Sequence, residues 1–260
     1  MATKFFNMKR IILFLLCAVI YTSTKAQLAK PDAYSTKKGT LIIQPLIHSS
    51  MILTWNTKHI YINPSNIEEL NFNFPKADVV FITDIHGDHL NIKTLQKIIN
   101  SNTILVMPLA VQLKLKDTDL KNTIITMRNG ENRKIVGIRV SAIPMYNLPE
   151  SDNSYHVKGR GNGYVLNFKG KRVYISGDTA DVKEMRSLKN IDIAFICMNL
   201  PYTMTVEKAA SAVLDFKPKI VYPFHYRGKG GFSDVNKFKS IVNQSNTAIY
   251  IKLKNWYPKH

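Results

Sequence analysis

The sequence predicts an α/β fold in which two β-sheets are enclosed by helices. Three observations carry that expectation. Apolar or alternating runs of strand length fall into two groups, an early one and one that begins at TIITM. Segments with helical spacing lie between and after these groups. Hydrophobic residues make up 45% of the 260 positions, enough for one sizeable core, and no internal repeat or linker interrupts the pattern. A single domain over residues 27–260 is therefore expected.

The chain opens on a leader-like segment. Lys4, Lys9 and Arg10 precede the apolar run IILFLLCAVI, which is too short to span a bilayer but suits the core of a signal peptide. Small Thr24 and Ala26 offer a cleavage site before Gln27. Residues 1–26 thus read as a signal peptide, and the mature protein is expected to be exported, periplasmic or secreted, with no membrane span. An uncleaved anchor is the alternative. Bulky Leu16 disfavours lipid modification of Cys17. Loss of Cys17 with the leader would leave Cys197 alone, without an intrachain disulfide. Within IDIAFIC, Cys197 reads as a buried, inert thiol.

Past the leader, LIIQPLI, MILTW and HIYINP read as short strands and VVFIT as a buried one. LNIKTLQKIIN has helical spacing, TILVM returns to strand, and LAVQLKL is again helix-like. The second group comprises TIITM, KIVGIRVSAI, GYVLNF and RVYIS, divided by turn signals such as RNGEN and FKGKR. A helical DVKEMRSL, the strand IDIAFIC, the helix TVEKAASAVLDF, the strand KIVYPF and the helix DVNKFKSIVN complete the chain. Thr205 is placed to cap the second of these helices, with Glu207 in its first turn.

The formal net charge is +18, and Lys4, Lys9, Arg10 and Lys25 contribute four of the positives within the leader. A field of this sign draws in anionic small molecules, glycans, nucleic acid or acidic lipid head groups. The lysines are scattered, however, and the signatures of RNA-recognition, zinc-finger and basic-helix readers are missing, so specific nucleic-acid recognition is not expected. The charge reads first as a solvated surface and second as steering of an anionic small-molecule substrate.

The stretch TDIHGDHL, residues 83–90, carries Asp84, His86, Asp88 and His89 directly behind the apolar VVFI. Carboxylate and imidazole donors in a loop after a buried strand suit divalent zinc, manganese or iron. Gly87 lets the backbone turn sharply between them. The alternative is a polar loop that caps the next helix through Asp88 or Asn91. One loop cannot complete a coordination sphere, so further ligands are expected at other strand ends. Asp178 follows VYIS behind Gly177, His225 follows KIVYPF, and His156 lies in SYHVKGRGNGYV, where Gly159, Gly161 and Gly163 suggest a tight connection. Singly, each is an ordinary turn or polar residue; together they place metal-capable side chains at four strand ends.

In this order and at these separations, TDIHGDHL, SGDTADVKEM, NLPYTMTVEKAA and YPFHY resemble the metallo-β-lactamase-fold hydrolases, in particular their broad branch of metal-dependent hydrolases without a settled substrate. The resemblance runs from about His48 to the last helix. It implies a four-layer αββα sandwich of two mixed β-sheets flanked by helices, with the site at one edge of the sheets. The family's loop motif is His-x-His-x-Asp-His, so His86, Asp88 and His89 match while Asp84 holds the first place. Two divalent metal ions are implied, zinc first. Asp84, His86 and His156 would bind one, Asp88, His89 and His225 the other, and Asp178 would bridge them. His156 is preferred over Tyr146 and Asn147 because imidazole is the better zinc donor. His48 matches a histidine near the site but outside the ligands, whereas His59 and His260 match nothing.

Two departures from the family pattern carry consequences. Asp84 gives the site three anionic ligands, which makes it less positive, leaves a bound water less acidic and favours manganese or iron relative to zinc. Asn63, in INPSN, replaces an aspartate that supports the metal loop, which points to reduced metal affinity. The implied reaction is attack of a metal-bridging hydroxide on an ester, amide, lactone or phosphoester bond, without a nucleophilic side chain. Asp88 would also orient the attacking water or accept its proton. Tyr202 would contact the oxyanion or substrate, or else pack on the surface. Lys158 and Arg160 would receive an anionic group of the substrate, or else belong to a solvated loop. A non-catalytic binding protein that retains the fold, and a nuclease suggested by charge alone, are the other readings.

Overall fold

The structure is a computed structural model that describes residues 28–70 and 72–258. The expected leader, residues 1–26, and His260 lie outside the described residues. Among the described residues no helix is long and apolar enough to cross a membrane.

Two seven-stranded sheets share one plan. In the first, β1 (Asp32–Ser35), β2 (Thr40–Pro45), β3 (Met51–Trp55) and β4 (Lys58–Ile62) form an antiparallel meander. β5 (Val79–Phe81), β6 (Ile104–Met107) and β7 (Thr123–Thr126) then add in parallel, with α1 (Ile92–Ile98) and α2 (Leu109–Lys114) in the crossovers. The second sheet starts with the antiparallel β8 (Asn132–Ile135), β9 (Ile138–Met145), β10 (Gly161–Phe168) and β11 (Lys171–Ile175). α3 (Lys183–Arg186) leads to β12 (Ile193–Ile196), and α4 (Val206–Phe216) leads to β13 (Ile220–Pro223). A small ribbon of β14 (Arg227–Gly228) and β15 (Gly231–Phe232) precedes α5 (Val235–Ser245) and the last strand, β16 (Tyr250–Ile251). Strands β11, β12, β13 and β16 run parallel. This shared plan has no counterpart as a repeat in the residues themselves.

Period-two alternation builds the layers. Val79 and Phe81 of β5 face a core shared with Leu41, Leu53, Tyr164 and Leu166, whereas Val80 and Ile82 join Leu95 and Ile98 of α1 and Val111 of α2 on the other face. Edge-to-face contacts between Phe81 and Tyr164 at 5.2 Å and between Trp55 and Phe168 at 5.7 Å tie sheet to sheet. Tyr174 of β11 meets Phe216 of α4 at 6.0 Å, which covers the second sheet's outer face. The result is the four-layer αββα sandwich of two mixed sheets.

Most elements lie where their periodicity places them, with three differences. KIVGIRVSAI is not one strand: Val136 and Gly137 both take positive φ, 42° and 85°, in a two-residue turn that folds the run into β8 and β9. Alternating apolar residues hide such a turn when its first position is β-branched. DVKEMRSL is helical over only four residues, Lys183–Arg186. The edge strands β1 and β16 and the ribbon strands β14 and β15 are too short for periodicity to expose, and pairing alone makes them strands.

Those edges meet through one carboxylate. Asp32 of β1 accepts from the Tyr222 hydroxyl of β13 at 2.7 Å and pairs with Lys252 at 2.6 Å and Lys254 at 3.0 Å. Burial acts to raise its pKa, but the hydrogen bonds from Lys252 and Tyr222 and the Lys254 contact outweigh burial and hold it below 3.8. A depressed folded-state pKa contributes stability above the unfolded-state value that is lost as pH falls through the folded one. Asp32→Asn should therefore lower stability at neutral pH by about 1–2 kcal/mol. In denaturant titrations the gap to the wild type should close as pH drops below 3.8; a gap independent of pH would refute this account.

Candidate metal centre

The site lies where strands of both sheets end. TDIHGDHL leaves β5, while Asp178, Asn199 and His225 follow the carboxyl ends of the parallel strands β11, β12 and β13. This is the crevice position that parallel strands commonly offer to ligands. His156 enters from the loop between β9 and β10. Asn91 caps α1, its side chain accepting from the Thr94 amide at 3.0 Å. The Asp88 carboxylate is thus not used as a helix cap.

Glycines allow close backbone approach here, between the sheets at Gly161 and Gly177 and between neighbouring strands at Gly163. Gly161 and Gly163 are part of β10 and not of a tight connection: a Cβ at Gly161 would lie 2.9 Å from the Thr83 carbonyl, and one at Gly163 2.8 Å from the Ser176 carbonyl. Between them, the Asn162 amide donates to the Thr83 carbonyl at 3.0 Å. Gly177 has φ 60°, and a Cβ there would meet the Met145 sulfur at 2.5 Å. Asp178 is thereby delivered beside the TDIHGDHL loop.

Two groups of side chains converge. Asp84, His86 and His156 form one and Asp88, His89 and His225 the other, each with ligand-capable atoms within 4.8 Å of one another. Asp178 lies between them. Its Oδ1 is 3.4 Å from His89 Nε2 and 3.3 Å from His225 Nε2, while its Oδ2 is 3.4 Å from His156 Nε2. His225 Nε2 is also 3.2 Å from Asp88 Oδ2, and His89 Nε2 is 3.7 Å from Asp88 Oδ1. His89 Nε2, His156 Nε2 and Asp178 Oδ1 are buried without a hydrogen-bond partner. Tetrahedral zinc with bonds of about 2.0–2.1 Å spaces neighbouring ligand atoms by about 3.3 Å. Unpaired donors at that spacing fit a divalent cation.

Surrounding groups set the orientation of these side chains. Asn63 Oδ1 accepts from both the Thr83 amide, at 2.9 Å, and the Thr83 hydroxyl, at 3.1 Å. That hydroxyl lies 2.9 Å from His89 Nδ1. Having given its only proton to Asn63, it must accept from His89 Nδ1–H, which leaves the Nε2 lone pair facing the site. His156 is fixed in the same sense: Nδ1 lies 3.1 Å from the Tyr202 carbonyl, and Asn147 brackets the loop through the His156 amide at 2.8 Å and the Tyr202 carbonyl at 2.8 Å. Asn147 is thus a support for His156. Tyr146 turns away to Glu184. Asn63 retains the acceptor oxygen that this relay requires, whatever its amide nitrogen costs; that nitrogen is buried and unpaired.

Electrostatically the pocket attracts cations. Burial opposes ionisation of Asp178, yet the charges of His225 and His89 hold its carboxyl well below the ordinary value. Burial likewise works against His225, but Asp178 and Asp88 push it up to about 10. His89 is also raised, against burial, by Asp178 and Asp88, whereas burial keeps His156 lowered. Protons on His89 and His225 occupy the role a metal ion would take, and a bound metal would displace them.

Other expected residues take different places. Arg160 does not face the cleft as an anion receptor: its Nε and a terminal nitrogen donate to both oxygens of Asp84, at 3.2 and 3.0 Å. Its charge offsets what Asp84 adds, so the carboxylate count alone overstates the loss of positive potential. Lys158 pairs with Glu150 at 2.8 Å. Tyr202 lines a cleft of about 320 Å³ with His86, Asp88, Tyr155, His156, Asp178 and Asn199. His48 packs edge-on against His225 at 5.4 Å, outside the ligand groups. Cys197 is buried, and burial followed by the charge of Asp178 pushes its thiol up to about 12, as suits an inert residue. Residues not singled out in the sequence are Thr83, Tyr155 and Asn199, whose amide nitrogen is 3.2 Å from Asp178 Oδ2. Position just after β12, in register with Asp178 and His225, was the available signal for Asn199.

Thr83→Val removes the relay to His89 while preserving shape. Metal affinity measured by chelator competition should fall about 10- to 100-fold with little change in the circular dichroism spectrum; unchanged affinity would show that the hydroxyl does not set the ring's orientation.

Comparison with known proteins agrees with this geometry. The family described as the beta-lactamase superfamily domain matches residues 60–226. A UPF0173 metal-dependent hydrolase of Pyrococcus abyssi is 27% identical over 186 residues, covering 69% of this chain and 80% of that protein. A crystal structure from Parabacteroides distasonis, described as a candidate metal-dependent hydrolase, is 37% identical, covers 87% of this chain and 98% of its own, and superposes with a TM-score of 0.78. The metallo-beta-lactamase fold protein YhfI of Bacillus subtilis, at 11% identity, covers 81% of this chain and 90% of its own with a TM-score of 0.65, a likeness of fold alone. Given ligand groups at the strand ends of such a sandwich, the chain belongs to the β-lactamase superfamily and, within it, to the metal-dependent hydrolases.

Proposed function

We propose that the chain hydrolyses an ester, amide, lactone or phosphoester bond in a small molecule, using two divalent metal ions. The observation that carries this reading is the Asp178 carboxylate, whose two oxygens face different groups, Oδ1 toward His89 and His225 and Oδ2 toward His156. Asp84, His86 and His156 would hold one ion and Asp88, His89 and His225 the other. When bound, such ions supply a water acidic enough to attack at neutral pH and a Lewis acid for the substrate's carbonyl or phosphoryl oxygen. Zinc is the first candidate, with manganese or iron as alternatives given Asp84.

The chain's own groups do the rest. Asp88 combines ligand geometry with access to the cleft and is placed to orient a water or take its proton. Exposed Tyr155 and half-buried Tyr202 stack edge-on at 5.0 Å and form an aromatic wall for the substrate. The size of the cleft favours a small molecule over a nucleic acid. The positive charge that remains after loss of the leader's four basic residues, 18 − 4 = +14, supports steering of an anionic one. Purified protein should contain divalent metal by elemental analysis and turn over at least one class in a panel of lactones, thioesters, phosphodiesters and β-lactams. His89→Ala should cut that turnover about 100-fold or more. Metal-free protein that cannot be reconstituted, or activity indifferent to His89→Ala, would overturn the proposal.

Export is part of the same reading, supported by Lys4, Lys9 and Arg10 ahead of IILFLLCAVI and by small Thr24 and Ala26. N-terminal sequencing of protein from a bacterial host should begin at Gln27; an intact Met1 in the cytoplasmic fraction would contradict it.

A further inference from the structure

The two ligand groups differ in what currently neutralises their carboxylates. Asp88 and Asp178 face only imidazoles and the Asn199 amide among the described residues, and an imidazole nitrogen can itself become a ligand to the ion its neighbours hold. Asp84 faces a guanidinium. Arg160 Nε donates to Oδ1 at 3.2 Å, a terminal nitrogen donates to Oδ2 at 3.0 Å, and His86 Nδ1 approaches Oδ2 at 2.8 Å. A guanidinium carries N–H donors and no acceptor, so it cannot join a metal's ligands and must leave the Asp84 oxygens before an ion can take them. The carboxylate is fully buried and the arginine side chain is only 21% exposed, so water screens the pair little.

One spacing separates the groups as well. In both groups most nitrogen–oxygen distances, 3.2–3.7 Å, lie near the roughly 3.3 Å edge of a tetrahedral zinc site, and the contact between Asp84 and His86 is the exception. The 2.8 Å contact between Asp84 and His86 is a hydrogen bond that must open to admit an ion. Arg160 cannot simply swing aside. It also donates to the Tyr155 carbonyl, and it stands two residues before Asn162, whose amide is bonded to Thr83 at 3.0 Å. Withdrawing it disturbs the loop that carries His156.

We infer that Arg160 makes the two metal positions unequal: the Asp88, His89, His225 and Asp178 position takes a divalent cation tightly, and the Asp84, His86 and His156 position takes one weakly because its carboxylate is already paired with the guanidinium. The inference rests on the two-metal reading above and assigns an order of filling to it.

Calorimetric titration of the chelator-stripped full chain with Zn²⁺ and with Mn²⁺, paired with elemental analysis after dialysis, tests this. The wild type should show one tight equivalent and a second at least ~10-fold weaker, and Arg160→Gln should tighten the second by ~10-fold or more. Equal wild-type affinities overturn the inference even if the variant does not fold. Two equivalents of equal affinity, or a second affinity unchanged or weakened by Arg160→Gln, would overturn the inference while leaving the two-metal reading intact. Absence of binding of either ion would instead remove the reading on which it rests.

Discussion

A carboxylate buried among imidazoles is the constraint around which this molecule is arranged. Asp178 is almost wholly shielded from water, a position that costs an ionised group several kcal/mol unless positive charge surrounds it. His89 arrives from the first sheet, and His156 and His225 from the second, so the charge is tolerable only when the two sheets close on each other at this edge. The close backbone contacts beside the site follow from that need. Gly161 and Gly177, each close to Thr83, are the points where a side chain would hold the sheets apart.

The same constraint makes the site dependent on its support. The Asn63–Thr83–His89 chain and the carbonyl of Tyr202 behind His156 determine which ring nitrogen faces inward. Neither involves a charged group, so neither competes with a cation for the carboxylates. Arg160 is the exception. It relieves Asp84 electrostatically while tying up the oxygens that would bind an ion. Asp84 and Arg160 act as a pair, since the guanidinium balances a carboxylate that is otherwise buried beside imidazoles alone.

The cleft above the ligands is small and partly aromatic, with Tyr155 and Tyr202 on one side and Asn199 offering an amide near Asp178. These groups lie on loops that the sandwich carries without depending on them. A shared scaffold with divergent loops is how one fold serves many reactions. The chemistry to be done at the ligands follows from their type and geometry; the choice of substrate rests with the loops.

Much of this was written locally. The TDIHGDHL loop, the strand-end positions of Asp178 and His225, the cap at Thr205 and most strands and helices follow from short-range rules, because alternation, turn chemistry and capping each involve residues a few positions apart. The Val136–Gly137 turn, the edge strands and the roles of Thr83, Asn63, Asn147 and Asn199 did not, because each depends on a partner distant in the chain. Arg160 shows the difference most plainly: its sequence neighbours suggested an anion-binding loop, yet residue 84, seventy-six positions away, decides what it binds. By itself the sequence determined which donors exist and which strands carry them. Only the tertiary structure decided which charges face one another, since electrostatic pairing depends on distance through space and not along the chain.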